Sequence, residues 1–166
     1  TNNVLTELGD DATSLYGSSH KIGQLTRGIV GLPFPYFYGH KTDGIFQNAD
    51  EVAAHTNADG VLLQPNAAPG DVRFVDVDGD GDIDDDDRTY IGKGTPDWSF
   101  GLNIGFDWKG IDFNMLLQGV VGNQAFNVTR RTDLYYINLP KTILNRWTGE
   151  GTSNTQPRFM FDSPNN

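Results

Sequence analysis

Hydrophobic and polar positions alternate without a break from Trp98 to Trp108. One face reads Trp98, Phe100, Leu102, Ile104, Phe106 and Trp108; the other reads Ser99, Gly101, Asn103, Gly105 and Asp107. A period of two sends successive side chains to opposite faces of a strand, so the run predicts one long strand. Lys109-Gly110 then gives a tight-turn signal. Alternation resumes over residues 111–119, with Ile111, Phe113, Met115 and Leu117 against Asp112, Asn114, Leu116 and Gln118. Only Leu116 interrupts the polar side. The two runs predict a β-hairpin.

Length bears on which solvent the apolar face meets. Eleven residues at about 3.3 Å each reach roughly 36 Å, or about 25 Å once tilted, the height of the apolar band of a membrane-spanning barrel. Trp98 and Trp108 stand at the two ends of one face, where aromatic girdles belong. A half-buried hairpin in a soluble sandwich has the same alternation, and on these residues alone the two readings stand level.

The rest of the chain is broken by turn residues. A strand is expected around residues 24–30. In residues 33–47, Pro33 and Pro35 argue against a central strand, because proline cannot donate to a ladder. Asp50 is expected to cap a short helix over 51–55, followed by loop to Pro69-Gly70. Val72–Val75 and Thr89–Ile91 read as brief strands. A second short helix is expected over 139–147, with Pro140 in its first turn, Ile143, Leu144 and Trp147 on one face and Gly149 at its end.

Between the two brief strands lies DVDGDGDIDDDD, residues 76–87. Its spacing is that of a calcium loop, with oxygen ligands at positions 1, 3, 5, 7, 9 and 12 and glycine at 6. Those positions are Asp76, Asp78, Asp80, Asp82, Asp84 and Asp87, and the glycine is Gly81. Asp82 would ligate through its backbone carbonyl, and Ile83 would anchor the loop on a core. Aspartate at the last position, where glutamate is usual, reaches less far. A solvated acidic loop is the bland alternative; the register of six oxygens around one glycine favours Ca2+ over it. Magnesium fits poorly, because it prefers few carboxylates and retained water.

The loop also explains the charge. Net charge is −10, and this segment supplies eight of the 22 acidic residues, so the remainder is nearly balanced. The 12 Lys and Arg are scattered, which argues against nucleic acid. Cysteine is absent, so there is no disulfide framework. No run of about 18 apolar residues occurs, hence no transmembrane helix is expected. Catalytic signatures are missing too. His20, His40 and His55 are isolated, with no H-E-x-x-H, no G-x-S-x-G elbow and no phosphate-binding glycine loop. The expectation is that the chain is not an enzyme. Twenty glycines and 11% aromatics point to an all-β protein with many turns.

Three segments carry a family resemblance. PFPYFYGHKTDGIFQNADEV (33–52), the long block from Pro69 through Asn123, and ILNRWTGEGTSNTQPRF (143–159) resemble, in order and spacing, late motifs of SusC/RagA-type TonB-dependent outer-membrane receptors. His40 stands where tyrosine is common in that pattern, and Asp78 where asparagine is common. The resemblance implies a piece of a 22-stranded transmembrane β-barrel with long extracellular loops, in the outer membrane of a Gram-negative, Bacteroidetes-type bacterium. Partners implied are a SusD-like surface lipoprotein, the TonB complex through parts absent from this chain, and a glycan or peptide substrate. On that frame residues 69–97 are the calcium-loop region, 98–119 the transmembrane hairpin and 120–166 an extracellular loop. Tyr36, Tyr38, Tyr135 and Tyr136 are then the ligand-contact candidates, although packing between loops is the commoner role for such rings. A start at Thr1 suggests a processed or excised piece. The competing expectations are a soluble calcium-stabilised β module for carbohydrate binding or adhesion, and a secreted hydrolase fragment.

Overall fold

The computed structural model describes residues 3–9, 12–17, 19–20, 23–127 and 138–160. Tyr135 and Tyr136 lie outside the described residues. Strands dominate, and among the described residues there is one α-helix and no helix long and apolar enough to cross a membrane. The all-β expectation agrees with this. The chain divides into two compact units, one of Thr1–Tyr38 with Tyr90–Phe126, the other of Gly39–Thr89 with Asn127–Asn166.

β1 (Leu15–Tyr16), β4 (Thr26–Gly28), β5 (Tyr36–His40) and β8 (Arg88–Lys93), whose residues belong mostly to the first unit, form a sheet in the order β1-β4-β5-β8. A small ladder joins β2 (Ser19–His20) to β3 (Gly23–Gln24). β5 is an interior strand, contrary to the restriction read from Pro33 and Pro35. Both prolines precede it, so neither removes a ladder donor. Tyr36 is 1% exposed, and its ring packs on Tyr38 and Tyr90 at centroid distances of 6.4 and 5.6 Å. The Arg27 guanidinium lies over the rings of Tyr16 and Tyr38 and donates to the Tyr38 hydroxyl at 3.0 Å.

The long hairpin is β9 (Trp98–Trp108) and β10 (Ile111–Val121). Lys109 and Gly110 both have positive φ, 48° and 83°, which a two-residue turn of matching twist requires. That turn fixes the register. Ile111 faces Trp108, Phe113 faces Phe106, Met115 faces Ile104 and Leu117 faces Leu102, so the apolar positions of both strands share one face. Phe106 and Phe113 stack with centroids 5.0 Å apart. β10 runs two residues beyond the expected 111–119 because Gly119 leaves room for the Phe100 ring. A Cβ there would sit 2.4 Å from Phe100 Cζ, and Val121 still pairs with Trp98. The apolar side chains of this hairpin are exposed, Trp98 at 75% and Trp108 at 61%.

The second unit is built around β6 (Thr42–Ile45), paired antiparallel with β7 (Val72–Phe74), and α1 (Ala49–Ala54). α1 starts two residues before the expected helix and is capped by Asn48, not Asp50. Asn48 Oδ1 accepts the Glu51 amide at 2.9 Å, while the Glu51 carboxylate accepts the Gln47 amide at 2.8 Å. Gln64 is buried and braces β7, donating to the Val72 carbonyl and accepting from the Phe74 amide. The expected helix over 139–147 is a single 3-10 turn, Lys141–Asn145, and Leu144 is exposed instead of sharing a buried face.

Pieces of all three resembling segments meet in this unit. Gln47 Oε1 accepts from Trp147 Nε1 at 3.3 Å and from the Gly151 amide at 2.9 Å. Gly70, at φ 91°, lies beneath Trp147, where a Cβ would come within 2.5 Å of the indole. Asp71 is fully buried and takes two hydrogen bonds from the Arg158 guanidinium, at 2.5 and 3.0 Å. This clasp fixes one end of β7; the aspartate-rich loop leaves from the other.

Candidate metal centre

The loop is entered from β7 and left through one 3-10 turn, Asp85–Asp87, leading into β8. Its shape comes from carboxylates accepting the loop's own amides. Asp76 accepts from Gly79 at 2.6 Å and from Gly81 at 3.0 Å. Asp78 accepts from Asp80 at 3.1 Å, and Asp80 from Asp82 at 3.0 Å. Gly79 and Gly81 have φ of 81° and 93°, a backbone conformation that costs glycine little and other residues more.

These turns bring Asp76, Asp78 and Asp80 together, with one oxygen of each lying within 4.8 Å of the others. The remaining three expected ligands are placed differently. Asp82 accepts the Ile83 amide at 2.8 Å. Asp84 caps the 3-10 turn, accepting from Asp86 at 2.8 Å. Asp87 is 1% exposed and closes the loop, its two oxygens accepting from Val77 at 2.5 Å and Asp84 at 3.0 Å. A carboxylate oxygen has a second lone pair, so accepting an amide does not bar it from a cation.

Electrostatics at the three converging carboxylates favours a positive charge. The Asp80 amide pulls the Asp78 pKa down, but desolvation and the carboxylates of Asp80, Asp87 and Asp76 outweigh it and raise it from its ordinary value. Three hard oxygens converging at one point, with glycines shaping the backbone, suit an oxygen-seeking divalent cation. Of the six ligands that the spacing predicts, three converge in this way.

Of the ring candidates, Tyr36 is buried in its sheet, and Tyr38 is half-buried under Arg27. A residue that sequence reading passed over is Asn57, whose side chain abuts Gly81. The only trace it leaves in the sequence is an ordinary turn signal, Asn57-Ala58-Asp59-Gly60.

No family model matches this chain. TonB-dependent receptor P26 of Formosa agariphila is 32% identical over 143 residues, covering 83% of this chain and 14% of the receptor. The chain is similar to a segment of TonB-dependent receptors. Two further TonB-dependent receptors of that organism agree. P3 is 30% identical over 74% of this chain, and P39 is 28% identical over 78% of it. The chain spans only 12–16% of the length of these TonB-dependent receptors.

Proposed function

We propose that this chain is part of a SusC/RagA-type, TonB-dependent transporter of the bacterial outer membrane. The parent imports oligosaccharides or other large nutrients with a SusD-like lipoprotein. The single observation that carries the reading is similarity to three TonB-dependent receptors over about three-quarters or more of the chain. The hairpin supports it. Two eleven-residue strands present an apolar face with tryptophans at both ends of β9, and that face is exposed. Such a face suits the lipid side of a barrel, with Asn103, Gly105 and Asp107 turned to the lumen. In this reading Lys109-Gly110 is the short periplasmic turn, and the aspartate loop lies on the outer face.

Asp76, Asp78, Asp80, the Asp82 carbonyl, Asp84 and Asp87 would hold a calcium ion there. The ion would supply structural charge balance. Deletion of the full-length gene tests the transport reading. Loss of growth on one complex glycan or peptide, repeated when the TonB-contact segment is mutated, is the expected result. Unchanged uptake across a broad panel of both would refute transport and favour a calcium-stabilised binding module.

A further inference from the structure

We propose that Asn57, outside the aspartate loop, is a positioning residue for the cation, bracing Gly81 so that Asp76 and Asp80 stand ready to ligate. The proposal rests on the calcium reading above. Asn57 sits in a turn that is fixed without the loop. Its amide donates to the Val61 carbonyl at 2.9 Å, the Gly60 amide donates to its carbonyl at 3.1 Å, and Thr56 bridges Leu62. Its side-chain oxygen accepts from the Asp59 and Val61 amides, both at 3.0 Å. With the oxygen committed, the carboxamide NH2 must point the other way.

That NH2 group meets Gly81. Nδ2 lies 3.5 Å from the Gly81 carbonyl oxygen, a long contact, but packing reinforces it. A Cβ on Gly81 would fall 2.6 Å from Asn57 Nδ2 and 3.2 Å from its Cβ, so Asn57 covers the open side of the glycine. The Gly81 amide donates to Asp76, and the next amide, of Asp82, donates to Asp80. Holding Gly81 from outside therefore holds the two amides that orient two of the three converging carboxylates. Without a cation these carboxylates repel, and a fixed backbone keeps them from splaying. The brace reduces the ordering that calcium must impose, which is how residues behind the ligands raise metal affinity.

Calcium titration of the whole chain tests this with four proteins: wild type, Asn57→Ala, Asn57→Asp and Asp76→Ala. Asn57→Asp keeps the acceptor that shapes the turn and removes the donor that meets Gly81. Both Asn57 variants should bind calcium about 10- to 100-fold more weakly, the usual cost of losing a partner behind the ligands. In chelator Asn57→Asp, which keeps the acceptor for the Asp59 and Val61 amides, should melt as wild type does, which a merely structural role would not allow. In wild type alone, calcium should also slow hydrogen exchange at the Gly60 and Val61 amides, and Asp76→Ala should abolish the slowing. If wild type binds calcium, Asp76→Ala does not, and both Asn57 variants bind as wild type, the brace is refuted while the site stands. Calcium that leaves exchange at residues 60–61 unchanged refutes it as well. If wild type and Asp76→Ala both fail to bind, the calcium reading falls and takes the brace with it.

Discussion

Asp71 has no exposed surface, and its charge is answered by Arg158, 87 positions away in sequence. Removing one member of a buried pair leaves the other buried charge without its counter-charge, which costs about 3–5 kcal/mol. Arg158→Met should therefore destabilise the chain by about 3 kcal/mol or more, read as a fall in the urea midpoint. Asp43 and Arg73 form a pair of similar length, 2.8 Å, but Asp43 is 67% exposed. Asp43→Asn should cost at most about 1 kcal/mol, since exposed pairs are screened by water. Equal losses in the two variants would contradict this account of the clasp. His55 sets a pH dependence. Desolvation, then the Arg73 guanidinium, lowers its pKa, against the Phe74 carbonyl, Asp43 and Gln64, which raise it. Between that lowered value and about 6.5 the unfolded chain binds the proton more readily. The contribution of neutral His55 is thus complete above about 6.5 and is lost as pH falls through the lowered value. His55→Gln cannot take up that proton, so the stability difference between wild type and variant should shift against wild type from pH 8 to pH 5. A difference independent of pH would remove His55 from the explanation.

Among the elements, β9 and β10 were the most legible in the sequence, because everything that specifies them is local. Alternation sets the faces, and Lys109-Gly110 sets the register. α1 was legible in kind but not in position. Asn48 and Asp50 are both good caps, and the choice fell to Asn48 where the Glu51 carboxylate also reaches the Gln47 amide. The clasp was not legible in physical terms. Gly70, Asp71, Trp147 and Arg158 look like turn and loop residues until segments far apart in sequence are brought together. At the aspartate loop, the spacing named the three aspartates that converge, but not Asn57, which reaches Gly81 from another segment. The hairpin yields its own prediction. Leu102 pairs with Leu117 on the apolar face, and Asn103 pairs with Leu116 on the other. On the proposed barrel reading, Leu102→Arg in the full-length parent should impair assembly by about 2–4 kcal/mol, the cost of Arg at the bilayer midplane. Asn103→Arg, on the face that this reading turns to the lumen, should be tolerated. Heat-modifiable mobility of the barrel on gels checks both, and equal loss would reverse the assigned facing.

For the whole molecule, the proposed transporter reading leaves two roles for the aspartate loop: a part in transport, or the integrity of the parent receptor alone. Its carboxylates are already engaged with the loop's own amides, and Asp87 is buried where the loop closes. A cation there would tie Asp76, Asp78 and Asp80 together beyond one end of β7, while the clasp at Asp71 holds the other end. Such an ion adds stability by mass action, about 2.7 kcal/mol at a hundredfold excess over its Kd. That is a large part of the usual margin of a folded domain, and losses of about 1–2 kcal/mol already lower abundance in cells. The expected outcome for Asp76→Ala in the full-length receptor is therefore a reduced amount of receptor in the outer membrane, most marked when calcium is scarce. Uptake per receptor should be unchanged. Quantifying surface receptor beside nutrient uptake separates the two. Normal receptor levels with reduced uptake per receptor would place the ion in the transport step instead of in the scaffold.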